Sequence, residues 1–103
     1  MPKRDARVPK ALNLYHLEGQ ATIFKVIMYL REHKREMFTK MLNDLRYLNV
    51  SQASLTSSIN TLLDLGLMEQ EYVQGQTKRR FFQLTQSGEK VAGLLLKIDK
   101  ELS

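Results

Sequence analysis

The chain has 103 residues, no cysteine and a formal net charge of +5, with an isoelectric point near 9.6. The length fits one small domain, and the lack of cysteine excludes disulfides and thiolate metal sites. No apolar run approaches the roughly 20 residues that a transmembrane helix needs, and no signal-peptide block follows the charged N-terminus. We therefore expect a cytoplasmic protein with no membrane partner, and the basic charge favours a polyanion such as nucleic acid.

Residues 1–18 form a basic N-terminal arm, in which two prolines argue against a helix at the start. Residues 19–34 then have apolar side chains on most sides of a predicted helix. A helix of that kind is buried on more than one side, so we expect Phe24 and Met28 to lie at a subunit interface. His33, at the polar end of this helix, is interpreted as a solvated residue.

A second predicted helix follows a brief extended link at residues 37–38, which has room for one small β-bridge. Thr39 is expected to cap this helix, which ends near Leu48. Asp44 is predicted to point away from the buried face. Asn49 tolerates the left-handed conformation, so the chain can turn tightly before the next helix.

Residues 51–66, SQASLTSSINTLLDLG, carry the most informative pattern in the chain. Ser51 is placed to cap a helix, and Gly66 is placed to end it in the left-handed conformation. One face is apolar, whereas the other has short neutral groups where Lys and Glu are the better helix formers: Gln52, Ser54, Thr56, Ser57, Asn60 and Thr61. Such a face suits a DNA major groove, although it also fits an ordinary amphipathic helix with a serine-rich back.

Beyond this helix the pattern becomes that of a β-hairpin, with strands predicted at residues 67–74 and 79–84. Phe82 and Leu84 are predicted to face inward. Three adjacent cations at the hairpin tip are interpreted as a phosphate clamp, rather than as a solubilising loop: Lys78, Arg79 and Arg80.

Residues 85–103 are predicted to form a terminal helix that Thr85 caps. Its apolar residues follow the spacing of a coiled-coil seam, which favours pairing with a second copy of the chain. The expected dimer interface combines both terminal helices: Phe24, Met28, Val91, Leu94, Leu95, Ile98 and Leu102.

The order helix, link, helix, turn, helix, hairpin, helix resembles the winged helix-turn-helix regulators of the MarR and ArsR type. The resemblance covers about residues 20–100, and its most specific pieces are Leu65-Gly66-Leu67 and the Leu-Thr-x-x-Gly of residues 84–88. It implies an α+β, mostly helical fold with a three-helix core, a two-stranded hairpin wing and a C-terminal dimerisation helix. The implied divisions are a basic arm (1–18), a DNA-binding domain (19–84) and a dimerisation helix (85–103).

The resemblance also implies a homodimer that binds double-stranded DNA. We expect it to be associated with the nucleoid and to need no cofactor. The helix at 51–65 would enter the major groove, and the hairpin tip at 75–80 would contact the backbone or the minor groove. The residues expected to contact DNA are Ser51, Gln52, Ser54, Thr56, Ser57, Asn60, Gln76, Thr77, Lys78, Arg79 and Arg80.

One departure from the family pattern leaves the type of binding open. Family members commonly carry Arg or Lys where this chain has Ser57, and Arg is the commonest specific contact to guanine. We favour an operator-specific regulator over a non-specific architectural protein like the small basic winged-helix proteins of archaea. A protein-docking module is a third alternative. It is favoured over DNA binding if Asp64, Glu69 and Glu71 interrupt the basic surface.

No catalytic or metal site is predicted, and an enzyme is not expected. His16 and His33 are far apart and lack carboxylates at ligand spacing. The hydroxyl run at residues 54–58 has no obvious base to activate it, and neither a phosphate loop nor a nucleophile elbow appears. The sequence does not predict a small-molecule effector.

Overall fold

The computed structural model describes residues 15, 18, 21–75 and 79–102. Within them the fold is α+β and mostly helical, which confirms the predicted class. Within residues 21–75 and 79–102 the α-helices are α1 (Ile23–His33), α2 (Phe38–Leu45), α3 (Gln52–Asp64) and α4 (Gln86–Glu101), and a 3-10 turn, Arg46–Leu48, follows α2. The strands are β1 (Arg35–Met37), β2 (Met68–Val73) and β3 (Arg79–Leu84). No helix in this described part has the length and apolarity to cross a bilayer.

The sheet is antiparallel, with the strand order β1-β3-β2. Only Met37 of the predicted extended link is extended: it ends the short third strand β1, in which Arg35 pairs with Gln83 and Met37 pairs with Phe81. Helix α2 begins directly at Phe38, with Met37 at the N-cap position. The expectation that Thr39 caps this helix is wrong, since Thr39 lies inside it.

Helix α1 is the central element, because it contacts α3, α4, β1 and β3. Each residue from 25 to 30 is buried. Met28 is only 1% exposed, so the chain's own core covers it and it offers no surface to a second subunit. The apolar character of α1 on most sides is satisfied within one chain.

Asp44 corrects another sequence interpretation, because it is fully buried and does not point to solvent. The Tyr29 hydroxyl donates to Asp44 Oδ2 at 2.6 Å, and Lys40 Nζ donates to the same oxygen at 3.0 Å. A buried carboxylate needs such partners, since desolvation without them is costly. The His33 ring stacks on Tyr29 with centroids 4.0 Å apart, so His33 is half-buried and only partly solvated.

We expect Tyr29→Phe to lower the free energy of unfolding by about 1–3 kcal/mol, because Asp44 stays buried but loses its hydroxyl donor. Urea denaturation measures the change. Thr39→Val is the control, because it also removes one hydroxyl but from an exposed position of α2, and substitutions at such surface positions usually change stability by less than about 0.5 kcal/mol. Equal effects of the two variants would contradict the role assigned to the Tyr29 hydroxyl.

A buried ion pair anchors the described part of the arm to the start of α1. The Glu18 carboxylate accepts from the backbone N–H groups of Phe24 and Lys25, and it lies 3.2 Å from Lys25 Nζ. Both side chains are at most 6% exposed. The Lys25 ammonium is 5.6 Å from the centre of the Tyr15 ring, and burial raises the pKa of Tyr15 above its ordinary value.

Candidate nucleic-acid interface

Helix α3 begins with the cap that the sequence predicts. Ser51 Oγ accepts from the Ser54 N–H at 3.1 Å, and Ser54 Oγ accepts from the Ser51 N–H at 3.0 Å. This reciprocal arrangement satisfies two backbone donors that the first turn of a helix would otherwise leave unpaired. Both hydroxyls, which the sequence assigns to DNA contact, therefore already serve the cap.

A second hydroxyl contact holds α3 against the start of α1. The Thr22 hydroxyl donates to the Ser54 carbonyl at 3.1 Å and shares a hydrogen bond with the Ser58 hydroxyl. Thr22 and Ser58 are 3% and 5% exposed. Part of the unusual hydroxyl content of α3 is thus explained by docking within the chain, which sequence spacing alone could not indicate.

The remaining polar face of α3 is open to the outside. A shallow, open stretch of surface runs along it, and its lining within the described residues comes from this helix alone. The exposed residues of this lining are Gln52, Ala53, Thr56, Ser57, Asn60 and Asp64. We call the first five the α3 outer face; it is uncharged, and Asp64 lies beyond its C-terminal end.

The end of α3 sets the direction in which the chain enters the following hairpin. Gly66 has φ +73°, a conformation that costs glycine least. Its N–H donates to the Leu63 carbonyl at 3.1 Å, and the Leu67 N–H donates to the Leu62 carbonyl at 3.0 Å. These two bonds form a Schellman stop, so the predicted left-handed end at Gly66 is confirmed.

The hairpin strands pair in a fixed register, with Tyr72 opposite Arg80 and Val73 opposite Arg79. Phe82 and Leu84 are buried, as predicted. Because neighbouring strand residues face opposite ways, Arg79 and Arg80 lie on opposite faces of the hairpin. The Arg80 guanidinium lies 4.7 Å from the centre of the Phe82 ring.

Arg79 and Arg80 thus flank the hairpin instead of forming one flat patch. The other residues expected to contact DNA from the tip, Gln76, Thr77 and Lys78, lie outside the described residues.

Two of the carboxylates that could disfavour DNA have partners within the sheet. Glu71 forms an ion pair with Arg35 at 3.1 Å, and Glu69 accepts from Gln83 Nε2 at 2.7 Å. The Arg35 guanidinium also lies 4.4 Å from the centre of the Phe81 ring. The negative charge of Glu71 is therefore compensated nearby, whereas the partner of Glu69 is neutral and Asp64 is exposed at the end of α3.

No metal centre is formed by the described residues, where no group of three or more His, Asp or Glu side chains is placed to hold an ion. Of the two histidines, His33 stacks on Tyr29, and His16 lies outside the described residues.

Solved structures match the fold, although no family model and no curated protein matches the sequence. A transcriptional regulator homologue from Pyrococcus horikoshii OT3 superposes with a TM-score of 0.66 at 20% identity, over 90% of this chain and 93% of that one. The transcriptional regulator YodB from B. subtilis gives 0.64 at 16% identity, over 87% and 82%. A protein described as a MarR-family regulator, from Porphyromonas gingivalis W83, gives 0.64 at 19% identity, over 97% and 94%.

The chain has the winged-helix fold. The wing of this fold is the hairpin of β2 and β3, within residues 68–84. The helix-turn-helix consists of α2 and α3. Asn49, with φ 65°, makes the left-handed turn between these two helices, as the sequence predicts.

Proposed function

We propose that this winged-helix protein is a homodimeric transcriptional regulator that binds double-stranded DNA. The observation that carries the proposal is the α3 outer face, which is exposed, uncharged and made of hydrogen-bonding or small side chains. The major groove admits an α-helix and presents donors and acceptors to it. Solved structures of this fold include several described as transcriptional regulators.

In this proposal α3 lies in the major groove, and the wing tip at residues 75–80 contacts the backbone or the minor groove. Gln52, Thr56, Ser57 and Asn60 face the bases or the nearest phosphates. Arg79 and Arg80, together with Lys78, neutralise phosphates, because they are the cations at the tip. Ser51 and Ser54 support the helix start through their cap.

A non-specific architectural DNA-binding protein is the second candidate, and one observation favours it. Residues 52–64 include neither Lys nor Arg, so α3 lacks the side chains that most often read guanine. Selection from a pool of random duplexes separates the candidates, because a regulator enriches one motif and an architectural protein enriches none.

Binding to labelled duplex should weaken steeply with salt, because each neutralised phosphate releases a counterion. Three tip cations per subunit give six in a dimer, so affinity should fall roughly a thousandfold between about 50 and about 200 mM salt. Fluorescence anisotropy at these two concentrations measures the effect. Absent binding, or binding that does not respond to salt, would reject the proposal.

The proposed dimer rests on an apolar stripe along α4. Helical spacing puts Leu94, Ile98 and Leu102 on one side of the terminal helix. Their side chains are 58%, 42% and 46% exposed, respectively. A second copy can cover this stripe through a two-fold, self-complementary contact. Leu95 is only 6% exposed and belongs to the core, whereas Phe24 and Val91 are half-buried and can flank the interface.

We expect Leu94→Asp to convert the dimer to a folded monomer, because an unpaired charge would be buried at the interface. Light scattering at micromolar concentration measures the mass, and circular dichroism checks the fold. Leu65→Asp is the matched control, since Leu65 is 65% exposed and lies outside α4. A monomeric wild type, or dissociation by the control alone, would contradict the assigned interface.

A further inference from the structure

The hydroxyl groups of α3 divide into those that the protein itself uses and those that stay exposed. Ser51 and Ser54 form the reciprocal cap, and Ser58 is buried against Thr22. What remains at the N-terminal half of the α3 outer face is Gln52, Ala53, Thr56 and Ser57, all exposed. This remaining set is chemically narrow: one carboxamide, two hydroxyls and two methyl groups.

These groups also form one compact surface. Residues three and four apart are neighbours on a helix, so Thr56 lies beside both Gln52 and Ala53. All four are exposed on the same open stretch of the helix surface. A base pair that meets this end of α3 would therefore encounter a carboxamide and two methyl groups together.

The base-pair edges in the major groove differ in which of these groups they accept. Guanine offers two acceptors, for which the bidentate partner is Arg or Lys, and residues 52–64 contain neither. Adenine offers an acceptor and a donor, which a glutamine carboxamide matches with two hydrogen bonds. Thymine presents a methyl group, which packs against the methyl groups of alanine and threonine.

We propose that α3 selects A·T base pairs, with Gln52 reading adenine and with Ala53 and Thr56 contacting the thymine methyl group. The inference rests on the proposed function and names the base pairs that its helix recognises. Contacts of this kind make DNA binding depend on sequence although α3 carries no Lys or Arg. One glutamine-to-adenine contact gives roughly 5- to 100-fold discrimination, which defines a short preference and not a long, unique site.

Selection from random duplexes is the first test, and it should enrich a half-site that contains A·T pairs. The enriched duplex is then prepared with 7-deazaadenine, which lacks the N7 acceptor, and with uracil, which lacks the thymine methyl group. Wild-type affinity should fall roughly 2- to 10-fold per half-site with the first replacement, which removes one of the two hydrogen bonds. It should fall about fourfold per half-site with the second, the value of one buried methyl group.

Matched variants assign each effect to a side chain. Gln52→Ala should abolish the response to 7-deazaadenine, whereas Gln86→Ala, an exposed glutamine at the start of α4, should keep it. Thr56→Ser retains the hydroxyl but removes the methyl group, so it should reduce the response to uracil. Neither α3 variant should change the salt dependence, because both side chains are neutral.

Each contrary outcome has a distinct meaning. Tight, salt-dependent binding with no enriched motif, or with a G·C half-site, would overturn the A·T inference and leave the proposed DNA binding intact. An A·T preference that survives Gln52→Ala and ignores 7-deazaadenine would also overturn it, because the preference would then come from the shape of the minor groove. No binding to any duplex would overturn the proposed function itself.

Discussion

Gly88→Ala should lower the free energy of unfolding by about 3 kcal/mol, because overpacking a filled site forces atoms apart. A Cβ at Gly88 would lie 2.0 Å from the Leu67 carbonyl oxygen and 3.2 Å from Leu84 Cβ. The carbonyl is backbone, and it accepts the Thr85 N–H at 3.0 Å. It cannot withdraw without breaking that bond.

The hydrogen bonds around Gly88 explain why a clash there would affect both α3 and α4. Thr85 Oγ1 accepts from the Gly88 N–H at 3.1 Å and donates to the Gly66 carbonyl at 2.7 Å. The Leu-Thr-x-x-Gly segment therefore joins the stop of α3 to the start of α4. A displaced Gly88 would disturb both ends together.

Gly93→Ala provides the matched control within the same helix. A Cβ at Gly93 would meet nothing within 4 Å, and alanine is favoured over glycine inside a helix by about 0.5–1 kcal/mol. This variant should therefore be slightly more stable than the wild type. Urea denaturation of both variants measures the contrast, and similar midpoints for the two would contradict the close packing at Gly88.

Replacing both Arg79 and Arg80 with Ala should weaken binding to every duplex to a similar extent, since phosphate contacts carry no sequence information. The salt slope should become shallower by about 0.9 for each lost contact, or about 3.6 for four lost contacts in a dimer. Anisotropy titrations on two unrelated duplexes measure both quantities. An effect confined to one sequence would mean that these arginines read bases.

Two further variants sharpen this experiment. Lys90→Ala with Lys97→Ala removes the same charge from exposed positions of α4, and it should leave the slope nearly unchanged. If this control lowered the affinity and the salt slope by the same amounts, net charge alone would explain the effect. The single variants should also differ, because Arg79 and Arg80 lie on opposite faces of the wing.

The features that the sequence determined are those governed by neighbours along the chain. The cap at Ser51, the left-handed stop at Gly66, the cap at Thr85 and the inward face of Phe82 all follow local rules. Such rules depend on backbone groups within a few residues. The order of the described elements could therefore be predicted, and so could the helix that forms the candidate site.

Only the tertiary structure decided what lies opposite each face. Periodicity shows that residues share a side of a helix, but it does not show which element covers that side. Burial of Asp44 depends on the Tyr29 hydroxyl from α1, and Met28 is buried because the chain's other elements surround that helix. In the candidate site, the Ser58 hydroxyl is taken out of solvent by its hydrogen bond to Thr22, which is 36 residues away in the chain. These pairings are long-range, and their free energy comes from desolvation and packing that exist only once the chain has folded.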